Sequence, residues 1–333
     1  MVRKTVYILA LAFFLQYNSF VYLAGSVPEK ILRKRKQQGG NMLYDSHTHL
    51  NHDGYGPEER AAVIAAIEES QVSHVNDIGI DLASSKMAVD HAEKYPWCHA
   101  TVGVHPHEAK DADDLTLSMI RMLAQKNEVV AIGEIGLDFH YDFSPRDVQR
   151  DVFRQQIRMA IELKMPIVIH SREADQETMD ILKEEGAFSD ERKADFPERP
   201  VPGTEELPAD MPGEKAKDWS SAARDARVLL HCYSGSAELA EQYVRLGAWI
   251  SIAGPVTYKN NKKTIRVVET IPEQFLMVET DAPYLTPEPF RGRPNMSPYV
   301  EHTARRVGVL KGIAYEDICR ITMENAKRFF GVE

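Results

Sequence analysis

The chain of 333 residues has a formal net charge of −10 at pH 7, with 43% hydrophobic and 27% charged residues. This length suits one large α/β domain, and the composition supports a sizeable core and excludes global disorder. The acidic balance argues against a protein that coats nucleic acid through many surface Lys and Arg residues. Cys98, Cys232 and Cys319 are odd in number and far apart, which favours reduced thiols over a disulfide framework.

Residues 1–41 form an N-terminal extension that differs from the rest of the chain. They hold seven Lys or Arg and one Glu, a net charge of +6, whereas residues 42–333 carry −16. The apolar runs Thr5–Leu15 and Phe20–Ala24 precede five basic residues, as in a signal peptide or a short membrane anchor. We favour a third interpretation, in which translation begins at Met42, because a predicted strand follows directly.

From Met42 onward, short apolar runs alternate with amphipathic stretches. Eight runs have the length and composition of strands: Leu43–Ser46, Val75–Ile80, Ala100–Val104, Val129–Ile135, Ile167–His170, Val228–His231, Trp249–Ala253 and Phe275–Glu279. Helical patterns lie between them, for example over Glu58–Ser70, Ser84–Tyr95, Pro145–Leu163 and Ala237–Leu246. This alternation predicts parallel pairing and a single-domain α/β fold, a (β/α)₈ TIM barrel over residues 42–333.

Two details modify this pattern. Ser144-Pro145 and Ser297-Pro298 have the sequence of a helix N-cap followed by proline at the first helical position. Residues 187–226, before the sixth strand, contain five prolines and many charges but no apolar period. We predict that they form a surface insertion that is partly disordered, with a decoration of two short helices as the alternative.

Ionisable residues concentrate where the predicted strands end. The segments concerned are Asp45-Ser-His47-Thr-His49, Gly103-Val-His105-Pro-His107, Gly133-Glu134-Ile-Gly136-Leu-Asp138, His170-Ser-Arg172, His231-Cys-Tyr-Ser-Gly235 and Glu279-Thr-Asp281-Ala-Pro283. In a barrel, the C-terminal strand ends and the loops after them build the active site. These histidines and carboxylates are therefore expected to converge on one small volume.

The residue types in this set indicate a metal centre. His47 and His49 are two apart on a strand, so both point to one face, where a divalent cation can accept their lone pairs. Glu134 and Asp281 would supply hard oxygen ligands. The six candidate ligands are His47, His49, Glu134, His170, His231 and Asp281. They are too many for one tetrahedral ion and suit two ions about 3.5–4 Å apart, which can activate a shared water.

Several further residues are candidates for substrate binding or for structural roles. Candidates to bind substrate phosphates are Arg172, Arg291, Arg293, Lys259, Lys262 and His107. Arg172 is the favoured one, because it follows His170 by two residues. Pro106 predicts a turn, so one of His105 and His107 could instead cap the strand. Cys232 is expected to pack against the helix layer. The remaining histidines are expected at the surface: His52, His74, His91, His99, His140 and His302.

Together these motifs resemble the TatD family, metal-dependent deoxyribonucleases of the amidohydrolase superfamily. The likeness runs from Met42 to about Val332, apart from the insertion at 187–226. The resemblance implies that His47, His49 and Asp281 hold one metal ion. His170 and His231 would hold the other, with Glu134 as the bridge. It further implies catalytic roles for Asp281, which would orient or deprotonate the attacking water, for Glu134, and for His105, which would face the phosphate.

The resemblance also implies a substrate, cofactors and a location. The substrate would be DNA, single-stranded or at 3′ ends, and the activity that of a 3′–5′ exonuclease. The cofactors would be two divalent ions, Mg²⁺, Mn²⁺ or Zn²⁺, and no stable protein partner is implied. The location would be cytoplasmic, with membrane anchoring or export through residues 3–26 as the alternative. The family more often has Glu after the asparagine at 295, where this chain has Met296.

Two other functions stay open at this point. Another hydrolase of the superfamily, such as a phosphotriesterase, a lactonase or an aminoacyl-tRNA deacylase, would use the same metal-activated water. Many of these enzymes carry a modified Lys on the fourth strand, whereas Val129–Ile135 contains none and has Glu134 instead. A non-enzymatic metal-binding barrel should lack at least one ligand, and none is missing.

Overall fold

The computed structural model describes residues 42–202 and 217–333. The predictions about the N-terminal extension and about the centre of the proline-rich insertion therefore lie outside the described residues. Within the described ranges, no helix combines the length and the apolar character needed to cross a membrane.

Eight parallel strands form one sheet whose order follows the chain. The strands are β1 (Leu43–Thr48), β2 (Val72–Ile78), β3 (Cys98–Val102), β4 (Val129–Asp138), β5 (Ile167–Arg172), β6 (Val228–Leu230), β7 (Ala248–Ile252) and β8 (Leu276–Val278). The two edges of the sheet meet, since His47 O accepts the N–H of Asp281 and Ala282 O accepts that of His49, both at 2.9 Å. All eight predicted strands and the (β/α)₈ barrel are confirmed, with strand ends displaced by no more than three residues.

Ten α-helices of the described residues cover this barrel. They are α1 (Pro57–Glu69), α2 (Leu82–Lys94), α3 (Asp114–Leu123), α4 (Arg146–Glu162), α5 (Asp175–Glu184), α6 (Asp190–Lys193), α7 (Ala237–Arg245), α8 (Lys262–Thr270), α9 (Val300–Lys311) and α10 (Tyr315–Phe330). The four helices predicted by pattern, which correspond to α1, α2, α4 and α7, are confirmed to within two residues at each end. Helices α1 to α8 lie between consecutive strands, as crossover connections of parallel strands require, and α9 and α10 follow β8.

The two predicted serine N-caps are wrong. Helix α4 begins after Pro145, and the Ser144 hydroxyl instead donates to His107 O at 2.8 Å and accepts the N–H of Lys110 at 3.1 Å. Ser297 lies within the short 3₁₀ helix Ser297–Tyr299 and contacts the hydroxyl of Thr48 at 3.3 Å. The hydrogen-bond partners of both hydroxyls are distant in sequence, so each serine connects two loops at the mouth of the barrel.

The barrel interior is filled at its N-terminal end. The inward-facing residues of six strands pack there with two phenylalanines of α10: Tyr44, Ala131, Val168, Leu229, Trp249, Met277, Phe329 and Phe330. A separate and larger core joins the outer faces of the strands to the helices. The interior of such a barrel is a packed core and not a pore, and active sites lie at the C-terminal ends of the strands.

The described ends of the insertion are fixed to the barrel. They contain α6 and the 3₁₀ helix Ser220–Ala223. The guanidinium of Arg199, a residue only 3% exposed, donates to the carbonyls of Ala222, Val244 and Ala248 at 2.6–2.7 Å. The prediction of a surface segment is wrong at these ends, where Arg199 is buried. Its carbonyl acceptors lie in other parts of the chain, so the sequence around Arg199 did not reveal them.

Candidate metal centre

Glu134, near the middle of β4, stands between two pairs of histidines at the mouth of the barrel. Its Oε2 atom lies 3.4 Å from Nε2 of His47 and 4.0 Å from Nε2 of His49. Its Oε1 atom lies 2.8 Å from Nδ1 of His170 and 2.7 Å from Nε2 of His231. Each oxygen of this one carboxylate therefore faces a different pair, which is the geometry of a bridging ligand.

Asp281, which follows β8, completes the first of these groups. Its Oδ1 atom lies 3.4 Å from Nε2 of His49 and 3.7 Å from Nε2 of His47. The backbone of Asp281 has a φ of +56°, an uncommon conformation for a non-glycine residue that is often found at functional sites. The six residues predicted as ligands from the sequence are thus brought together in one cluster.

Two glycines let β4 approach β5 where Glu134 and His170 meet. A Cβ atom on Gly133 would lie 2.7 Å from the Cβ of Val168, and one on Gly136 would lie 1.9 Å from His170 O. Any side chain at either position would push the strands apart. The glycines in Gly133-Glu-Ile-Gly136 therefore set the separation between these two candidate ligands.

Three of the cluster histidines are oriented by an acceptor outside the cluster. The acceptors are Ile78 O for Nδ1 of His49 (2.9 Å), Asp138 Oδ2 for Nε2 of His170 (3.1 Å) and Glu279 Oε1 for Nδ1 of His231 (3.3 Å). The other nitrogen of each ring consequently faces Glu134 or Asp281. This pattern is typical of metal-binding histidines, whose second nitrogen is held by a carboxylate or a carbonyl.

His47 shows that these residues fit a cation. Its side chain is fully buried, and neither ring nitrogen has a hydrogen-bond partner among the described residues. A buried polar atom without a partner is unfavourable unless something else takes its lone pair. Burial, and then the neighbouring His231, lower the pKa of His47, which keeps the ring in the neutral form that metals bind.

The carboxylates of the cluster are in their ionised form. Burial favours protonation of Glu134, but the nearby His231 and His105 hold its pKa well below the ordinary value. The pKa of Asp281 is likewise lowered, because its contact with His49 outweighs burial. Burial opposes the charged form of His49, yet Asp281 and Glu134 raise its pKa to about 9. The cluster therefore offers anionic oxygen ligands at neutral pH.

His105 belongs to the same cluster as a neutral donor. Its Nδ1 atom accepts the backbone N–H of His107 at 3.1 Å, so the proton of the neutral ring is on Nε2. That Nε2 atom lies 3.6 Å from Glu134 Oε1. Burial, and then His170, hold the pKa of His105 well below its usual range. An uncharged N–H donor thus points toward the centre of the cluster.

Asp138, at the end of β4, is a residue whose role the sequence did not reveal. Its Oδ2 atom contacts Nε2 of His107 at 3.0 Å and Nε2 of His170 at 3.1 Å. Its Oδ1 atom accepts the backbone N–H groups of His140 and Tyr141 at 3.0 and 2.9 Å. His107, predicted to bind substrate, therefore has this ring nitrogen engaged by Asp138. The available signal was a carboxylate four residues beyond Glu134, in the same motif.

The predicted substrate-binding arginines are separated by the structure. Arg172 ends β5, and its guanidinium lies 4.6 Å from the ring centroid of Tyr141. The guanidinium of Arg291 lies 4.2 Å from the ring of Tyr258, and that of Arg293 lies 5.8 Å from the ring of Phe290. These two arginines thus pack on aromatic rings outside the cluster, whereas Arg172 lies on the strand that carries His170.

Cys232 does not continue the alternation of β6. The strand ends at Leu230, and Cys232 has a φ of +41° with its N–H donated to Glu279 Oε1 at 2.6 Å. Burial, and then the charges of Asp281 and Glu279, raise the pKa of its thiol well above the ordinary value. The expectation that Cys232 packs against the helix layer is wrong, because the chain turns before reaching it.

Comparison with known proteins agrees with this site. The profile of a family described as TatD related DNase matches residues 44–331. The chain belongs to the TatD family.

The TatD family relatives cover most of the chain. A Bacillus subtilis protein named uncharacterized metal-dependent hydrolase YabD is 38% identical over 291 residues, 87% of this chain and 100% of the relative. A Dickeya dadantii protein named 3′-5′ ssDNA/RNA exonuclease TatD is 31% identical over 278 residues, 82% and 92% of the two chains. The crystal structure of the TatD homologue YjjV from Escherichia coli has a TM-score of 0.71 at 23% identity, covering 87% and 98%, and supports the fold.

This TatD family chain is therefore an enzyme, a metal-dependent hydrolase. Within the described residues, the barrel mouth contains three sets whose possible ligand atoms lie within 4.8 Å of one another: His47, His49 and Glu134; His105, Glu134 and His170; and His47, His231 and Glu279. Two of the three sets share Glu134, which is the residue with an oxygen on each side.

Proposed function

We propose that this hydrolase cleaves phosphodiester bonds of DNA from the 3′ end, with two divalent ions at the barrel mouth. The proposed ligands are His47, His49 and Asp281 for one ion and His170 and His231 for the other, with Glu134 between them. The observation that carries the proposal is the position of the Glu134 carboxylate, whose two oxygens face two separate pairs of histidines. A carboxylate that served a single ion would have both oxygens beside the same set of ligands.

The residues around the ions have separate proposed roles. When bound, ions of the Mg²⁺, Mn²⁺ or Zn²⁺ type supply an activated water and positive charge for the phosphate oxygens. Asp281 would orient that water and accept its proton, because its lowered pKa keeps the carboxylate ionised. His105 donates its Nε2–H toward the charge that develops on the phosphate, as a neutral group in a water-poor site.

Two further facts support a nucleic-acid substrate. The Dickeya dadantii relative is named as an exonuclease of single-stranded DNA and RNA. β4 carries Glu134 and contains no Lys, whereas many other hydrolases of the superfamily have a modified Lys on the fourth strand. The net charge of −10 is compatible with this function, because an enzyme that holds a few phosphates through metal ions needs no extended basic surface.

The test uses the full chain, depleted of metal and then supplied with Mg²⁺, Mn²⁺ or Zn²⁺. Single-stranded DNA labelled at its 5′ end should be shortened stepwise in a metal-dependent reaction. Asp281→Asn should lower the rate by on the order of 10²–10³-fold, because it removes the base without changing the shape of the side chain. The matched control is Asp317→Asn, an exposed carboxylate of α10.

Metal content provides a second readout. Elemental analysis of the purified chain should find two ions per chain after loading. DNA that stays intact with every metal, or equal cleavage by Asp281→Asn and the parent, would reject the nuclease function.

A further inference from the structure

Two exposed aromatic side chains lie in the loop after β4, beside the metal centre. Tyr141 and Phe143 are 46% and 56% exposed. Their rings are stacked, with centroids 5.3 Å apart and an interplanar angle of 24°. The guanidinium of Arg172 lies 4.6 Å from the Tyr141 ring. We call Tyr141, Phe143 and Arg172 the aromatic platform. Contiguous apolar surface at the rim of an active site is typical of a binding surface.

Short contacts join the aromatic platform to the proposed ligands. The carboxylate of Asp138 accepts the backbone N–H of Tyr141 at 2.9 Å and contacts His170 at 3.1 Å. The ring of Phe143 packs edge-on against His107, with centroids 4.8 Å apart, and His107 also contacts Asp138. Because Asp138 touches both sides, the platform is held at a fixed distance from His170.

Arg172 is a cation in the platform that no carboxylate of the described residues pairs with. The two carboxylates of the neighbouring loop segments have partners, since Asp142 pairs with Arg146 and Glu173 with His140, each at 2.7 Å. Arg172 is exposed and forms no ion pair within the part of the chain that the structure describes. Stacked aromatic rings beside an uncompensated guanidinium match the two parts of a nucleotide, a flat base and a negative phosphate.

We propose that the aromatic platform stacks an unpaired base of single-stranded DNA while the adjoining backbone enters the metal centre. This inference rests on the proposed nuclease function. Inside a duplex both faces of a base are covered by its neighbours, so the platform favours an unpaired strand. Every base has a flat face, so the platform binds without preference for sequence. Arg172 binds the backbone phosphate that lies nearest to His170.

Binding is measured on the metal-loaded full chain that carries Asp281→Asn, before cleavage becomes appreciable. The probe is a fluorescently labelled, short single-stranded DNA, and the readout is anisotropy. Tyr141→Ala and Phe143→Ala should each weaken binding about tenfold, as expected for the loss of one stacked base. Tyr141→Phe and Phe143→Tyr should keep the parent affinity, because they retain the rings. The matched control is Leu115→Ala, an apolar residue of α3 that is 67% exposed.

A second measurement locates the base. Probes with one abasic nucleotide at successive positions should bind the parent less tightly at one or two positions near the 3′ end. At those positions Tyr141→Ala should cause little further loss, because its stacking partner is already missing. Full additivity at every position would overturn the proposal.

The outcomes separate the platform from the nuclease function. Cleavage by the unsubstituted chain and DNA binding by its Asp281→Asn form, with unchanged affinity in both alanine variants, would overturn the platform alone. Absence of cleavage by the unsubstituted chain and of binding by its Asp281→Asn form would overturn both proposals. A dimer in sedimentation that Phe143→Ala dissociates, with DNA affinity unchanged, would show that a second copy of the chain occupies the surface. Platform-dependent binding of RNA but not of DNA would also overturn the proposal.

Discussion

Histidines lie at both ends of the barrel but have different neighbours there. At the C-terminal end, His170 and His231 face Glu134, and burial opposes the charged form of both rings. Asp138 and then Glu134 nevertheless raise the pKa of His170. Glu134 and then Glu279 raise the pKa of His231. At the N-terminal end, His74 and His99 stack with Tyr44, with centroids 5.3 and 6.0 Å away. These two rings also hydrogen-bond to each other at 3.2 Å. Burial, and then Lys327, lower the pKa of His99 to about 4.

The comparison shows that the neighbours of a histidine distinguish a site from a structural contact. His74 and His99 were predicted at the surface, yet both are partly buried and form part of the packing that closes the barrel. The C-terminal group has carboxylate oxygens within reach, and the ring nitrogens of His47 have no hydrogen-bond partner in residues 42–202 and 217–333. The N-terminal group has aromatic rings instead. Substitutions at the C-terminal end should therefore change metal binding, whereas substitutions at the N-terminal end should change only the stability of the fold.

The largest expected effect is that of Glu134→Gln. The amide cannot present two anionic oxygens, so the variant should bind at most one ion and lose on the order of 10²–10³-fold in hydrolysis. Elemental analysis and kcat/KM with single-stranded DNA measure the two effects. The matched control is Glu324→Gln, an exposed residue of α10. A variant that keeps two ions would show that the histidines at the mouth do not depend on this carboxylate.

Asp138→Asn should have the next largest effect. It removes the charge that orients His170 while leaving the ligand itself, and such changes typically weaken metal affinity about 10–100-fold. Competition with a chelator measures the affinity. Thermal unfolding of the metal-free variant should stay close to that of the metal-free parent. Unchanged metal affinity would mean that His170 keeps its orientation without Asp138.

At the N-terminal end, His99→Phe should change the response of stability to acid. Because the pKa of His99 falls from 6.5 to about 4 on folding, the unfolded chain binds more protons between these values. Stability is therefore lost as the pH falls from about 6.5 to about 4. Between pH 7 and pH 5 the free energy of unfolding of the parent should fall about 2 kcal/mol more than that of the variant.

Denaturant unfolding at the two pH values measures this difference. Equal losses in the parent and in His99→Phe would show that the ring does not resist protonation. The metal content of the variant should equal that of the parent, since His99 lies at the opposite end of the barrel from Glu134.

The smallest effect is expected for Tyr44→Phe. The Tyr44 hydroxyl is buried and has no hydrogen-bond partner among the described residues, as is true of the His47 nitrogens. Removing it should change the free energy of unfolding by less than about 1 kcal/mol and leave metal content unchanged. His47→Phe, its counterpart at the mouth, should lose metal. A large destabilisation by Tyr44→Phe would show that the hydroxyl does have a hydrogen-bond partner.

The fold was predictable because buried parallel strands leave a strong local signal. The apolar runs of β5 and β7 are bounded by polar segments, so their positions follow from the sequence. Strand ends were less predictable, since they depend on contacts with neighbouring strands. The sixth strand ends before Cys232, where a positive φ turns the chain, and no residue pattern indicates that conformation.

The candidate site was predictable as a set of residues but not as a network. His47 and Glu134 could be found because ionisable residues at strand ends are unusual. The side-chain contacts of Asp138 could not be found, because one is to His107 in the loop after β3 and the other is to His170 in β5. The exposed rings of Tyr141 and Phe143 left a signal that was overlooked: aromatic residues in a polar loop directly after a ligand-bearing strand.

The seam between β1 and β8 has a consequence for synthesis of the chain. Thr280 donates its N–H and hydroxyl to Asp45, which lies 235 residues earlier, and His47 meets Asp281 across the same seam. A nascent chain therefore exposes the first pair of histidines long before the last carboxylate leaves the ribosome. The six proposed metal ligands are all present only after Asp281 has been translated. A truncated product would carry these imidazoles without Asp281, the group that we propose as the base.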